Sequence, residues 1–265
     1  MRQPNPIAYI AVIYLIVTAL GLYTGQKLVE KIKTEELPPA VSNPDSIASS
    51  LEIVVYILLM TCVMLLLIRY KLDSLIKFLS FLAVFGGIAI TLYCLNETYG
   101  IFIAIIVIAL AHWRSQNIIV LNTALILTVT GVGSFLGASL SLVPSALLLI
   151  ALSIYDLISV FWTKHMVTLA EKAKGKLPFM FLIPSGGRNI GLGTGDIAIP
   201  LVFTVAILKD YSIFNAFSAS LGGLAGIIAL FLYIQRKKNI VLPALPPITL
   251  GAFAGFLLSL LPSIF

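Results

Sequence analysis

Charge is what this sequence has least of. Of 265 residues only 11% are Asp, Glu, Lys or Arg, while 60% are hydrophobic and the mean hydropathy is +1.08. A soluble domain carries about 25% charge, so a water-soluble globular fold is excluded and a polytopic helical membrane protein is implied. Cysteine is scarce too. Cys62 and Cys94 lie in apolar runs without metal-ligand spacing, which excludes a disulfide framework and a zinc site. His112 and His165 stand at the ends of apolar runs and read as interfacial side chains, not ligands, so neither metal nor cofactor is expected. The net charge of +6 does not point to nucleic acid, because the basic residues fall in short loops and form no continuous surface. They read as topology signals. A cleavable leader is not expected, since Met1-Arg2-Gln3-Pro4-Asn5-Pro6 leads into a run long enough to span.

What the chain does have is apolar runs able to cross about 30 Å of hydrocarbon. They fall near 7–25, 49–69, 74–95, 98–113, 117–139, 141–163, 190–209, 212–234 and 240–264. Merging across Ser139–Ser141 would reduce nine to eight. The runs are continuous and do not alternate, which excludes a transmembrane barrel. With nine spans, one face receives Arg2, Arg69, Lys71, Lys77, Arg114, Lys164, Lys172, Lys174, Lys176, Arg188, Arg236, Lys237 and Lys238. The other receives Lys27, Lys31, Lys33 and Lys209. This bias predicts a cytoplasmic N-terminus, an external C-terminus and residence in the cell membrane. The expected organisation is one all-α membrane domain: six helices over 1–163, a cytoplasmic loop over 164–189 and three helices over 190–265. The external connection at 26–48 reads either as a solvated charged loop or as a gate over a lateral entrance. The cytoplasmic one holds the basic run Lys172–Lys176 and then Phe179–Ile183, too short to span and stopped by Pro178 and Pro184. That leaves an extended or interfacial segment.

Three features break the apolar pattern. Asp156 and Asp196 are the two acids deep in spans, where a carboxylate costs roughly 2.5–3.5 kcal/mol on insertion scales. Asp156 precedes Lys164 by eight residues and Asp196 follows Arg188 by eight. At about 1.5 Å per residue both sit ~12 Å from the cytoplasmic charges on consecutive antiparallel spans. The third is Leu242-Pro243-Ala244-Leu245-Pro246-Pro247, expected to be irregular across 242–247 because proline lacks an N–H and restricts the preceding residue. Irregular backbone survives at membrane depth only beside protein or a watery cavity. Gly191, Gly193 and Gly195 weaken a helix start by roughly 1 kcal/mol each and permit close approach. Pro200 removes a bond that the Asp196 carbonyl would accept. A loosened start to the seventh span is expected. Gly133 with Gly137, Gly222 with Gly226 and Gly251 with Gly255 read as helix-packing devices.

Tyr155-Asp156, Gly193-Thr194-Gly195-Asp196 and Pro243-Ala244-Leu245 resemble the YD, GxGD and PAL motifs of the presenilin and signal peptide peptidase family of intramembrane aspartyl proteases. The order and the sixth, seventh and ninth spans agree, so the resemblance covers the whole chain. Thr194 stands where many members have leucine. The phrase Gly195–Pro200 is similar to the signal peptide peptidase branch, while the cytoplasmic N-terminus matches presenilin. The short loop before the seventh span makes the chain most like a compact archaeal presenilin homologue, able to act without partner subunits.

The resemblance implies that Asp156 and Asp196 are catalytic, and that Pro243, Ala244 and Leu245 shape the site or the substrate. Tyr155 either hydrogen-bonds nearby or only packs, and Gly193 and Gly195 belong to the same wall. The partners implied are transmembrane-helix proteins within the bilayer. Two carboxylates sharing a site cannot both ionise cheaply, so the pair titrates as a unit and can hold one proton while activating a water. A helical substrate must unwind first. Phe179–Ile183 or 242–247 could then supply hydrogen bonds by strand addition. Three other readings compete. The acids could glue two helices by sharing a proton, or serve an ion- or proton-coupled transporter, although no inverted repeat is visible. A GxGD peptidase acting on prepilins shares only one motif.

Overall fold

A computed structural model describes residues 5–41, 43–114, 117–163, 180–185, 188–236 and 242–261. Among them are nine α-helices: α1 (Pro6–Lys33), α2 (Ile47–Arg69), α3 (Asp73–Leu95), α4 (Gly100–Trp113), α5 (Ile118–Ser139), α6 (Leu142–Ile158), α7 (Gly195–Asp210), α8 (Ile213–Arg236) and α9 (Leu245–Leu260). A π-helical turn, Ser159–Thr163, continues α6, and an antiparallel hairpin of β1 (Met180–Ser185) and β2 (Arg188–Gly193) precedes α7. Arg2, Lys164, His165, Lys172–Lys176, Pro178, Phe179, Lys237 and Lys238, used above for orientation or the cytoplasmic loop, lie outside the described residues.

Side-chain caps start three of the long helices. Asn5 accepts from the Ile7 N–H at 3.1 Å with Pro6 in the first turn, Ser46 accepts from Ala48 at 3.1 Å, and Asn117 accepts from Ile119 at 3.0 Å. Each satisfies a donor that has no helical partner. Six helices are long and apolar enough to cross a membrane. The others, α4, α7 and α9, have 14, 16 and 16 residues, roughly 21–24 Å at 1.5 Å per residue. α7 lies at the centre, in contact with α1, α5, α6, α8 and α9. It divides the interior in two. Ile197, Leu201 and Val205 join a core with α1, α5 and the hairpin, while Val202, Phe203 and Ile207 join one with α6, α8 and α9. By contrast, Leu51, Val55, Tyr56 and Leu59 on α2 and Phe102 and Ile106 on α4 are exposed apolar side chains, as lipid-facing helices require.

Several expectations need correction. The chain is not purely helical: residues 190–193, assigned to the seventh span, form β2, and the helix starts at Gly195. Glycine weakens a helix but tolerates a strand, and here a partner strand exists. Phe181, Ile183 and Leu192 bury fully or nearly so on one face of the hairpin, against α1 and α5. Part of the expected 164–189 loop is therefore ordered sheet. The irregular stretch of 242–247 shrinks to 242–244, because Pro246 and Pro247 sit in the first turn of α9, where a missing N–H costs nothing. The first span continues to Lys33, so the first connection begins at Thr34 and not at residue 26. Its charges are partnered: buried Lys31 donates to Glu36 at 2.9 Å and to Glu97 at 2.8 Å, over the Tyr93 ring. The Lys31 ammonium holds the exposed Glu36 carboxyl below the usual carboxylate range. Between α5 and α6 the chain turns at Leu140–Ser141, so these runs are separate helices.

The glycine pairs do pack backbones together. A Cβ on Gly222 would meet the Gly251 carbonyl, and one on Gly251 would meet the Gly222 carbonyl, so α8 and α9 touch without an intervening side-chain layer. Gly86 has open space. Gly222→Ala is expected to destabilise the fold by about 1–3 kcal/mol through overpacking against backbone, and Gly86→Ala, unhindered inside α3, to stabilise it by up to about 1 kcal/mol. Thermal unfolding of the two variants in detergent checks this.

Candidate active site

Asp156 lies in the last turn of α6, three residues before the helix widens into its π turn, and Ser159 Oγ donates to the Asp156 carbonyl at 3.1 Å. Its carboxylate is 7% exposed and is aimed at the start of α9. There Oδ2 accepts the Leu245 N–H at 3.1 Å, and the Ala244 N–H faces the same carboxylate. A helix begins with four N–H groups that lack helical carbonyls. In α9 these positions are Ala244, Leu245, Pro246 and Pro247. The prolines have no N–H, so the two donors that remain both face one carboxylate, which accepts from Leu245. One turn further along both helices, Ser153 Oγ and Thr249 Oγ1 are hydrogen-bonded at 2.5 Å and buried. Two polar links thus fasten α6 to α9.

Asp196 is the second residue of α7. β2 ends at Gly193, Thr194 makes the turn, and the half-buried Asp196 carboxylate reaches back to the Gly193 N–H. This resembles half of a capping box, in which an acid of the first turn closes the preceding backbone. A Cβ on Gly193 would sit 3.0 Å from Asp196 Oδ2, so glycine is what lets the acid fold back. The charge of Asp156 acts directly on Asp196. The helices that bear the two acids also pack against each other, so Asp156, Asp196 and the Ala244–Leu245 backbone converge.

Other residues singled out in the sequence make fewer contacts with the two acids. Gly195 has nothing within 4 Å of a built Cβ, and Gly191 would meet only the flexible Met180 side chain. Of the three alternating glycines, Gly193 alone shapes the surroundings of an acid. Tyr155 is half-buried, with no hydrogen bond of its hydroxyl found among the described residues. Pro243 is buried just before the two donors. His112 ends α4, and among the described residues no group of three His, Cys, Asp or Glu could hold a metal.

Ser153, Thr249 and Asn122 were not anticipated. Ser153 could have been found, because it lies one helical turn before Asp156 on the same face. Asn122, a lone amide in an apolar run, carried a weaker signal. It is 3% exposed and bonds the hairpin: Nδ2 donates to the Leu182 carbonyl at 2.8 Å, and Oδ1 accepts the Leu182 N–H at 3.0 Å.

With this geometry in hand, the comparisons are decisive. The family described as "Signal-peptide peptidase, presenilin aspartyl protease" matches residues 10–264. The chain belongs to this family. Two solved structures, each described as a presenilin family intramembrane aspartate protease, have the same fold. One, from a C222 crystal, is 24% identical, covers 96% of each chain and has a TM-score of 0.66. The other, from a P2 crystal, is 26% identical, covers 94% of this chain and 97% of its own, and has a TM-score of 0.65. A comparison with curated proteins finds no match. A presenilin-type intramembrane aspartyl protease is thus established as the activity class, and neither family nor fold supports the transporter reading.

The double bond to α9 separates two substitutions. Asp156→Asn keeps a carbonyl acceptor for the Ala244 and Leu245 N–H groups and is expected to stay folded. Asp156→Leu leaves both unpaired, at about 1–3 kcal/mol for each buried donor. Thermal unfolding in detergent should place the leucine variant well below the asparagine variant.

Proposed function

We propose that Asp156 and Asp196 are the catalytic carboxylates of this intramembrane aspartyl protease. The observation that carries the assignment is their convergence. Each faces backbone N–H of a separate element, the two helices that bear them pack together, and the charge of Asp156 reaches Asp196. With one proton between them, the ionised carboxylate takes a proton from a bound water, whose oxygen attacks the scissile carbonyl carbon. The protonated carboxyl hydrogen-bonds the carbonyl oxygen as negative charge develops there. The carboxyl that took the water's proton then passes it to the amide nitrogen as the C–N bond breaks, which leaves a carboxylic acid and an amine and returns the dyad to one proton. Ala244 and Leu245 serve through their N–H groups by holding Asp156. Pro243 sets the extended approach to them, and Gly193 does the same service for Asp196. Tyr155 and Gly195 are assigned to the wall of the site.

The chain acts, in this reading, as one membrane domain with nine crossings, in which 1–163 and 190–265 each supply one acid. α4, α7 and α9 complete the count. α7 and α9 are short because β2 and residues 242–244 carry the chain part of the way before each helix begins. The excess of Lys and Arg on one face supports a cytoplasmic N-terminus, an external C-terminus and the cell membrane.

The substrate is a transmembrane helix that unwinds and adds as a strand to β2. Leu182 and Gly191 face each other in the register. Both Leu182 backbone groups point away from β2, towards Asn122, so this is a non-hydrogen-bonded pair and the Gly191 groups point away from β1. No hydrogen bond occupies them among the described residues. Strand addition thus moves from Phe179–Ile183 or 242–247, the two segments first considered, to β2, which leads straight to Asp196.

Asp156→Ala and Asp196→Ala are each expected to lower cleavage of a transmembrane substrate by at least about 10²–10⁴-fold. The wild-type rate should follow a bell-shaped pH profile, as a dyad sharing one proton requires. Undiminished cleavage in either variant would remove the assignment. Gly191→Pro deletes the outward N–H and should lower kcat/KM about fivefold or more, read with a purified transmembrane peptide. An unchanged value excludes pairing at that edge.

A further inference from the structure

We propose that Asn122 is a positioning residue for proteolysis: its side-chain amide occupies the outer edge of β1 as a third strand would, and so sets the height at which β2 presents a substrate to the acids. The inference rests on the strand-addition reading above. Asn122 offers Leu182 one donor and one acceptor in the spacing that a neighbouring strand residue offers, at 2.8 and 3.0 Å. The remaining Nδ2 hydrogen goes to the Tyr9 hydroxyl at 3.1 Å. Both amide hydrogens and the amide oxygen are therefore used. A flipped amide would face N–H with NH₂ and carbonyl with carbonyl, so the Leu182 backbone itself dictates the orientation.

Two consequences follow from where these bonds run. First, β1 is closed to an incoming strand beyond Met180. Leu182 is occupied, and Pro184, two residues on and facing the same way by the period of the strand, has no N–H to offer. An extended substrate finds β2 alone. Second, the anchor holds the hairpin to α5 and α1, not to α6, which bears Asp156. Position along the bundle is fixed at a single residue. A two-residue slip, about 7 Å, would put Pro184 or Met180 against the amide. Pro184 cannot give the N–H, and β2 would lose its alignment with Asp196. A residue that only stabilised the fold would affect how much enzyme is active, not which bond is cut.

The experiment uses the full chain in lipid vesicles with a transmembrane peptide substrate. KM, kcat and the cleaved bonds are determined by mass spectrometry, and hydrogen exchange is followed at the Leu182 amide. Asn122→Asp is nearly isosteric and keeps the acceptor but loses both donors; Asn122→Leu loses all three contacts. Thr123→Val, on the exposed side of α5, is the control. Both Asn122 variants are expected to exchange faster at Leu182, to raise KM by about tenfold, the scale of two lost buried hydrogen bonds, and to release products cut at additional bonds. The control should match wild type. Unchanged bonds and KM in folded Asn122→Asp overturn the proposal, as does a loss confined to kcat. Failure of the protease reading looks different, as cleavage that persists in Asp196→Asn. In that event, faster Leu182 exchange in Asn122→Asp alone still supports the clamp, and unchanged exchange overturns it.

Discussion

Two backbone N–H groups at the start of α9 have no helical carbonyl to bond, and both face the Asp156 carboxylate, which accepts from Leu245. In hydrocarbon an unsatisfied backbone group costs several kcal/mol, and so does a carboxylate without partners. Each defect cancels the other. The same exchange recurs elsewhere. Asp210, at the end of α7, accepts the Leu142 N–H at 2.7 Å where α6 begins, and Asp196 accepts from Gly193. These acids stand where helices start, and Asp156 and Asp210 each hold the end of one helix against the start of another. Pro246 and Pro247 belong to this solution, since each removes a donor that no second acid is present to satisfy.

Most of the transmembrane scaffold was legible because apolar runs of spanning length have few other uses, and the two acids stood out against them. The hairpin was not. Its second strand reads Arg-Asn-Ile-Gly-Leu-Gly, and glycine at alternate positions is equally a weakened helix until a partner is known. That partner carries Phe181 and Ile183 on its buried face, a period of two over too few residues to declare a strand by itself. The helical extension of α1 from residue 26 to Lys33 was hidden for the opposite reason. Its lysines and glutamate look like a loop until Glu36 and Glu97 are seen to close on Lys31. Prolines misled as well, because their helix-breaking effect depends on position, and the first turn of α9 is the position where it vanishes.

The site was legible in its side chains and hidden in its backbone. Pro243-Ala244-Leu245 could be recognised as a motif, but only coordinates reveal that its contribution includes two N–H groups on Asp156. The roles of Ser153 and Thr249 were unreadable because each needs the other, and they lie 96 residues apart.

The glycine seam between α8 and α9 acquires a larger meaning once the other links are followed. From Asp156 the path runs to α9, across the seam to α8, and from Ser220 to Thr18 of α1 at 2.7 Å. α1 passes it through Tyr9 to Asn122 and on to Leu182 of β1. The ladder then returns it through β2 to Asp196. The two carboxylates are thus the two jaws of one closed caliper. Its frame is the whole bundle, and the seam is its stiffest joint, having no side chains to shear. Play at any joint, however remote, is read out as an error in the gap between the jaws.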